Sequence, residues 1–180
     1  MRKMTAKKII LVIVSSAFFI GTVFGQVLPK KLFVVKGSVK KNNPYCGGVA
    51  PSAEMVAESN KARPYIGKVF YIKRGVTNST KVKVVLKIVT DSLGQFAIHL
   101  EPGQYIFVQA EQVKALDLNK IIIGNFLHAD ASCLKQWWQT PYYSFEIKDK
   151  NIENLKFEFN KRCFVESDIP CLQYFGPMPP

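Results

Sequence analysis

The stretch that most constrains the fold runs from Thr90 to Tyr105, TDSLGQFAIHLEPGQY. Its centre alternates between apolar residues and small or polar residues, which is the period of a strand that buries one face. The apolar positions are Phe96, Ile98 and Leu100. Turn-forming residues flank this strand, at Asp91 to Gly94 before it and at Pro102-Gly103 after it. The stretch therefore predicts a strand end, a turn, a complete strand, a second turn and a new strand.

Seven segments of the chain have the composition and length of short strands. They lie at 32–39, 68–74, 81–90, 95–100, 104–111, 142–148 and around Leu155 to Phe159. We predict an all-β fold, a seven-stranded antiparallel β-sandwich with two long inserts that carry short helices. The inserts are Lys40–Ile66 and Gln112–Pro141, and their helices should be capped by Ser52 and Asp130.

Two of the predicted strands have features of their own. Gly37 interrupts the first strand, which indicates a β-bulge or the close approach of a neighbour. The strand at 104–111 is apolar on both faces, so we expect it to be central or covered by an insert.

The N-terminus has the pattern of a secretory signal peptide. Four basic residues precede an apolar run, Ile9 to Ile20, that is short for a membrane span. Val23-Phe24-Gly25 then fits a cleavage site, so we predict a signal peptide at 1–25, a β-sandwich domain at 26–160 and a tail at 161–180 packed on it. This places the protein outside the cytoplasm, in the periplasm, at the cell surface or in the medium. The alternative is an uncleaved N-terminal anchor.

The chain is basic, and it stays basic after the predicted cleavage. Loss of the four N-terminal basic residues lowers the formal net charge from +12 to +8. One interpretation is a surface of solvated lysines; another is attraction to anionic lipids or acidic glycans. We do not expect a nucleic-acid partner, because the protein is predicted to be exported and has no arginine-rich stripe with interleaved aromatic residues.

Four cysteines lie in the exported part, at Cys46, Cys133, Cys163 and Cys171. An even number in an oxidising compartment favours two disulfides, whereas a zinc site would require a CxxC-type spacing that is absent. If successive strands are antiparallel, the first, third, fifth and seventh strands end at one pole, which we call the cysteine pole. Both inserts that carry cysteines and the tail follow these strands. We predict the pairs Cys46–Cys171 and Cys133–Cys163.

Short motifs along the strands resemble those of a known domain family. Gly37-Ser38-Val39, Thr90-Asp91-Ser92 with Gly94 and Phe96, Pro102-Gly103 with Tyr105, and Asn154-Leu155-Lys156-Phe157 are similar to carboxypeptidase regulatory-like, or transthyretin-like, β-sandwich domains. The resemblance covers about Leu32 to Asn160 and implies an exported bacterial protein, of the kind common in Bacteroidetes. It marks a fold and not a chemistry. The inserts, the cysteines and the proline-rich tail depart from the simple domain.

The sequence does not favour an enzyme. Hydroxyisourate hydrolases of the transthyretin-like fold need several histidines and a Tyr-Arg-Gly-Ser C-terminus, whereas this chain has only His99 and His128 and ends in two prolines. We interpret the two histidines as unrelated surface or loop residues and predict no metal and no cofactor. Ser52 and Ser132 lack the context of a nucleophile elbow.

The remaining functional signal is aromatic. The candidate residues are Trp137, Trp138, Tyr142, Tyr143, Tyr45 and Tyr174. They form either a small secondary core beneath the inserts or a binding surface for a protein or glycan of the cell envelope. We therefore predict an exported, non-catalytic binding or envelope-structural module. The alternatives are a secreted enzyme with a site at the cysteine pole, and an accessory protein anchored in the membrane.

Overall fold

The structure is a computed structural model that describes residues 31–47, 50–121 and 126–177. The predicted signal peptide lies outside the described residues. Within the described ranges, no helix combines the length and the apolar character that a membrane crossing requires.

Two packed sheets form a β-sandwich, which confirms the predicted fold class. In the first sheet β1 pairs with β5 and β2 along one side and with β9 along the other. These strands are β1 (Phe33–Asn42), β2 (Arg63–Pro64), β5 (Gln95–Leu100) and β9 (Ile152–Asn160). The second sheet has the order β4-β3-β6-β8. Its strands are β3 (Val69–Arg74), β4 (Val84–Val89), β6 (Gly103–Val108) and β8 (Tyr143–Ile147).

All seven predicted strands are present, but several boundaries differ from the prediction. β1 continues to Asn42 instead of ending at Val39, and β6 ends at Val108 instead of Glu111. β4 begins at Val84, whereas the alternation predicted a start at Lys81. Residues 80–82 form a turn instead, in which the Val82 N–H donates to the carbonyl of Ser79 and the Lys81 N–H to the Ser79 hydroxyl. The core face of this strand is consequently limited to Leu86 and Ile88, and Val84 is exposed.

The first and last strands of the sandwich run side by side in the same direction. β1 and β9 are parallel, with Val39 opposite Phe157 and Asn42 opposite Asn160. Every other strand pair among the described residues is antiparallel. This arrangement agrees with the strand count, because the first and seventh of seven alternating strands must point to the same pole.

The inserts and the tail carry the remaining elements. The first insert contains α1 (Ala53–Ser59), in which the Ser52 hydroxyl accepts from the Met55 N–H, and the second contains α3 (Ala131–Gln139), capped by Asp130. Both predicted caps are thus confirmed. The second insert also contains a 3₁₀ turn (Ala110–Gln112), α2 (Leu118–Ile121) and β7 (Leu127–Ala129). In the tail, β10 (Leu172–Tyr174) pairs antiparallel with β7 and so joins the tail to this insert.

Two apolar clusters hold the molecule together. The main core lies between the sheets and is rich in aromatic rings, including Phe70, Phe96, Phe107 and Phe157. A second cluster lies under the second insert and the tail, and we call it the pole core. Its buried members are Leu134, Val165, Ile169, Cys171 and Leu172.

Gly37 confirms the prediction of a bulge with a close neighbour. The register between β1 and β9 shifts between Val35 and Gly37. A Cβ atom on Gly37 would lie 2.6 Å from the ring of Phe96 and 2.8 Å from the carbonyl oxygen of Leu155. Only glycine fits between the β5 side chain and the β9 backbone at this position.

A buried polar network fastens the second insert to the outer face of the second sheet. The Asn78 side-chain amide donates to the carbonyls of Gln112 and Trp138, both at 2.9 Å, and its oxygen accepts from Lys73 Nζ at 2.9 Å. Burial lowers the pKa of Lys73. Because Asn78 is buried and fully engaged, the Asn78-Ser79-Thr80 sequon is not presented at the surface of the folded protein.

Candidate functional site

Two disulfides join the first insert, the second insert and the tail. The pairs are Cys46–Cys163, with Cα atoms 5.4 Å apart, and Cys133–Cys171, with Cα atoms 5.8 Å apart. Each bridge runs to the tail as predicted, but the predicted partners Cys46–Cys171 and Cys133–Cys163 are wrong. The parallel pairing of β1 and β9 explains the difference, because Cys46 and Cys163 follow closely after the paired residues Asn42 and Asn160. Cys171 directly precedes β10, and the pairing of Leu172 with Ala129 places it close to Cys133 on α3.

A buried ionic cluster, which we call the Asp168 latch, holds the tail on the sandwich. The Asp168 carboxylate accepts hydrogen bonds from Lys68 Nζ at 2.5 Å, Lys161 Nζ at 2.7 Å and the Tyr65 hydroxyl at 2.8 Å. The side chains of Asp168, Lys68 and Lys161 are only 6%, 11% and 17% exposed. Lys68 Nζ also lies 4.5 Å from the centre of the Phe159 ring, so its charge has an aromatic neighbour as well.

The latch shifts the pKa values of its members in opposite directions. Burial alone would raise the pKa of Asp168, but the hydrogen bonds from Lys161 and Lys68 outweigh it, so the pKa falls below its ordinary value. Burial alone would lower the pKa of Lys161, but the hydrogen bonds with Asp168 and Tyr65 raise it. Burial also raises the pKa of Tyr65, so its hydroxyl stays protonated as a donor. The latch is therefore charged on both sides at neutral pH.

Arg162 holds the tail in its conformation through hydrogen bonds to the tail's own backbone. Its guanidinium donates to the backbone carbonyls of Ile169, Pro170 and Leu172. The tail segment between the two tail cysteines is thus wrapped around a single side chain. Three of the five N–H groups of the guanidinium are therefore used within the protein, and two remain.

An open cleft of about 550 Å³ lies between α3, the end of β9 and the tail, and we call it the pole cleft. Its aromatic wall is formed by Trp137 and Tyr142, and Asp168 and Arg162 lie at its tail side. Polar side chains from three elements also line it. They are Gln109, Gln136, Thr140, Glu158 and Asn160.

Several of these polar groups have unused hydrogen-bonding capacity. Among the described residues, the Gln136 amide and the Glu158 carboxylate have no hydrogen-bond or ion-pair partner, and both side chains belong to exposed residues. Asn160 uses its amide oxygen to accept from Asn42, which leaves its NH₂ group available. The cleft therefore offers both donors and acceptors beside aromatic surface.

The structure places two of the six predicted aromatic residues in the pole cleft. Trp137 lines it while packing against the pole core, and Tyr142 lines it while stacking on Phe159 with ring centres 4.8 Å apart. Trp138 points elsewhere, since its indole N–H donates to the carbonyl of Lys114 at 2.8 Å. The remaining three, Tyr45, Tyr143 and Tyr174, lie outside the cleft lining, and Tyr174 packs against the pole core.

Sequence reasoning missed the polar residues of this site. Asp168 could have been noticed as one of two acidic residues between the tail cysteines, directly before an Ile-Pro pair that favours burial. Gln136 carries no comparable signal, because an exposed glutamine one position before a tryptophan is ordinary in a helix. His99 and His128 lie exposed on β5 and β7, in different sheets, and the described residues contain no cluster of three potential metal ligands.

No protein-family model matches the chain, and no curated protein matches it. Solved structures with a similar arrangement include the Bacillus anthracis TIE protein, at 19% identity over 71% of this chain with a TM-score of 0.34. GBS52, the minor pilin of Streptococcus agalactiae, is 14% identical over 77% of the chain, with a TM-score of 0.38. The N-terminal domain of the shaft pilin SpaA from Lactobacillus rhamnosus GG is 11% identical over 71%, with a TM-score of 0.37, and 92% of that domain is covered.

The chain spans 17% of the TIE protein and 48% of GBS52. At identities and TM-scores this low, the comparisons carry no argument about function. The specific resemblance to carboxypeptidase regulatory-like domains remains a prediction.

Proposed function

We propose that this chain is an exported, non-catalytic binding module of the cell envelope, and that it binds a neutral glycan in the pole cleft. The observation that carries the proposal is the cleft itself. It places the rings of Trp137 and Tyr142 beside the unpaired Gln136 amide, the Glu158 carboxylate and the Asn160 NH₂ group.

The disulfides support export. Both bridges connect segments that are distant in sequence, with separations of 117 and 38 residues. Such bonds form and persist in oxidising compartments and are rare in the cytosol. They agree with the predicted signal peptide at 1–25 and with a periplasmic, surface or extracellular location.

The chemistry of the cleft fits a neutral, hydroxyl-rich ligand. A sugar ring presents apolar C–H groups, which pack on aromatic rings, and hydroxyls, which exchange hydrogen bonds with amides and carboxylates. The Asp168 carboxylate is already paired with two lysines, and three of the five Arg162 N–H groups are already bound to backbone carbonyls. The carboxylate left unpaired, Glu158, disfavours an anionic ligand.

The cleft is also held in place before any ligand arrives. Cys133–Cys171 ties α3 to the tail, and the Asp168 latch ties the tail to the sandwich. A wall fixed in this way loses less conformational entropy on binding, which favours affinity for a small ligand.

Tryptophan fluorescence tests the proposal, because the chain has only two tryptophans. The oxidised Trp138→Phe variant retains Trp137 in the cleft and should show a saturable emission change with at least one member of a panel of neutral gluco-, manno-, galacto- and N-acetylhexosamine oligomers. Trp137→Phe retains only Trp138 and should show none.

Two further variants provide the matched comparison on the same helix. Gln136→Ala should weaken binding, whereas Lys135→Ala, at an exposed position of α3 outside the cleft, should bind like the parent. Thermal melts confirm that each variant is folded. A flat response of Trp137 to every neutral oligomer at millimolar concentration would contradict the proposal.

A further inference from the structure

The outer edge of the second sheet is a second candidate binding surface, because it combines outward backbone groups with exposed valines and lysines. β4 occupies the end of the order β4-β3-β6-β8, so β3 pairs along one side of it and no strand of the described chain pairs along the other. An unpaired edge presents backbone N–H and C=O groups that can accept another strand.

The ladder shows which backbone groups face outward. The Thr90 N–H donates to the carbonyl of Lys68 at 3.1 Å, directly beyond the pairing of Val89 with Val69. Because antiparallel residues alternate in the direction of their hydrogen bonds, the N–H and C=O groups of Val89 and Lys87 point away from β3. The register shift near Ile72 and Lys73 ends this regular alternation at Leu86. The usable edge is therefore the segment Leu86–Val89.

The side chains along this edge are more apolar than a solvated edge requires. Val85 and Val89 are 47% and 54% exposed, on the same outward face as Lys87, and Leu93 in the following turn is 64% exposed. Exposed β-branched residues on an unpaired edge favour pairing with a further strand.

Charge identifies the kind of strand that fits. Lys81, Lys83 and Lys87 are exposed and have no ion pair among the described residues. An antiparallel pairing of two copies through Leu86–Val89 would bring Lys87 close to the Lys87 of the other copy, which is repulsive. A strand with an Asp or Glu opposite Lys87 and an apolar residue opposite Val89 satisfies both the charge and the apolar surface.

We propose that the β4 edge binds an extended acidic segment of another protein, which adds to the second sheet as a fifth strand. Backbone hydrogen bonds to Lys87 and Val89 supply part of the affinity, and alternating acidic and apolar side chains supply the selectivity. The proposal stands on the sheet edge and its lysines and is independent of the pole cleft.

A fluorescein-labelled peptide of alternating Val and Glu tests this, with anisotropy measured on the oxidised full chain. We expect saturable binding, and a peptide of alternating Val and Lys should not bind. Lys87→Glu should weaken the binding by about tenfold or more, because it replaces an attractive charge pair with a repulsive one. Lys135→Glu makes the same charge change on α3 and should leave the affinity close to that of the parent.

Two variants at one position separate backbone pairing from charge. Lys87→Pro removes an outward N–H, which an edge strand tolerates, whereas Lys87→Ala removes the same charge and keeps the N–H. If a strand is added, Lys87→Pro binds more weakly than Lys87→Ala, with both variants retaining a cooperative melt. Equal affinities for these two variants, equal effects of Lys87→Glu and Lys135→Glu, no peptide binding, or self-association through this edge would each overturn the proposal.

Discussion

Replacing Asp168 with Asn removes the one carboxylate shared by two largely buried ammonium groups. Lys68 and Lys161 are 11% and 17% exposed, so they would remain desolvated without a counter-charge. Breaking a buried pair in this way costs about 3–5 kcal/mol. Lys68 keeps a hydrogen bond to Gln109, and Lys161 keeps one to the carbonyl of Glu166, so we expect a value near the lower end, about 3 kcal/mol.

Urea denaturation with both disulfides intact measures this loss directly. In a thermal melt of a domain of this size, a loss of about 3 kcal/mol in unfolding free energy corresponds to a fall of about 6–12 °C in Tm. Glu166→Gln is the matched control, since this neighbouring carboxylate is exposed and has no ion pair among the described residues. If the free energies of unfolding of Asp168→Asn and Glu166→Gln agree within about 0.5 kcal/mol, the latch does not stabilise the fold.

The same variant changes the pH dependence of stability. The pKa of Asp168 is lowered in the folded state, so its contribution is complete above the unfolded pKa, about 3.9, and is lost as the pH falls through the folded value. The pKa of Lys161 is raised in the folded state, so its contribution is complete below about 10.4 and is lost as the pH rises through the folded value. Asp168→Asn should therefore flatten both the acidic and the alkaline limb of the curve of unfolding free energy against pH. If both limbs are unchanged, Asp168 and Lys161 do not contribute to stability in this way.

Three further substitutions test the rest of the framework. Gly37→Ala should cost about 1–3 kcal/mol, because its new Cβ would meet the Phe96 ring at 2.6 Å; a thermal melt unchanged from the parent would contradict this. The double variant Cys46→Ser, Cys163→Ser opens a loop of 117 residues and should lose about 2–4 kcal/mol in non-reducing urea titrations, and no loss would show that the bridge is not stabilising. Asn78→Ala leaves buried carbonyls unpaired and should lose about 2–3 kcal/mol, whereas a neutral effect would mean that the insert is held in another way.

The sandwich was predictable because its signals are local. Alternation along β5 needs only neighbouring residues, and Phe96, Ile98 and Leu100 are buried as the period requires while Ala97 and His99 are exposed. Strand parity was equally reliable, because it depends on the number of strands and not on their partners. It predicts, without any knowledge of strand neighbours, that the cysteines lie at a common end of the sandwich.

The disulfide partners were not predictable in the same way. Parity assigns a direction to each strand, but it does not say that the first and last strands are neighbours. That adjacency sets Asn42 beside Asn160 and thereby Cys46 beside Cys163. The Asp168 latch depends on the same kind of long-range placement, since Lys68 and Asp168 are 100 residues apart and no local pattern links the two residues.

The aromatic signal was only partly informative about the site. It drew attention to Trp137 and Tyr142, which line the pole cleft. It drew attention equally to Trp138, whose indole donates a hydrogen bond to Lys114, and to Tyr174, which packs against the pole core. Adjacent residues of one helix point in different directions, so composition alone does not separate the two tryptophans. The orientation of α3 depends on its cap at Asp130 and on the carbonyls bound by Asn78 and Gln112.

NMR titration of the oxidised chain tests whether the pole cleft is a ligand site. The variants Trp137→Phe and Trp138→Phe assign the two indole N–H signals, and Gln136→Ala assigns the Gln136 side-chain amide. On addition of a neutral oligosaccharide from the panel, we expect saturable shifts for the Trp137 indole and the Gln136 amide, with the Trp138 indole unchanged. Shifts confined to residues outside the cleft, or none for any neutral oligosaccharide, would contradict it.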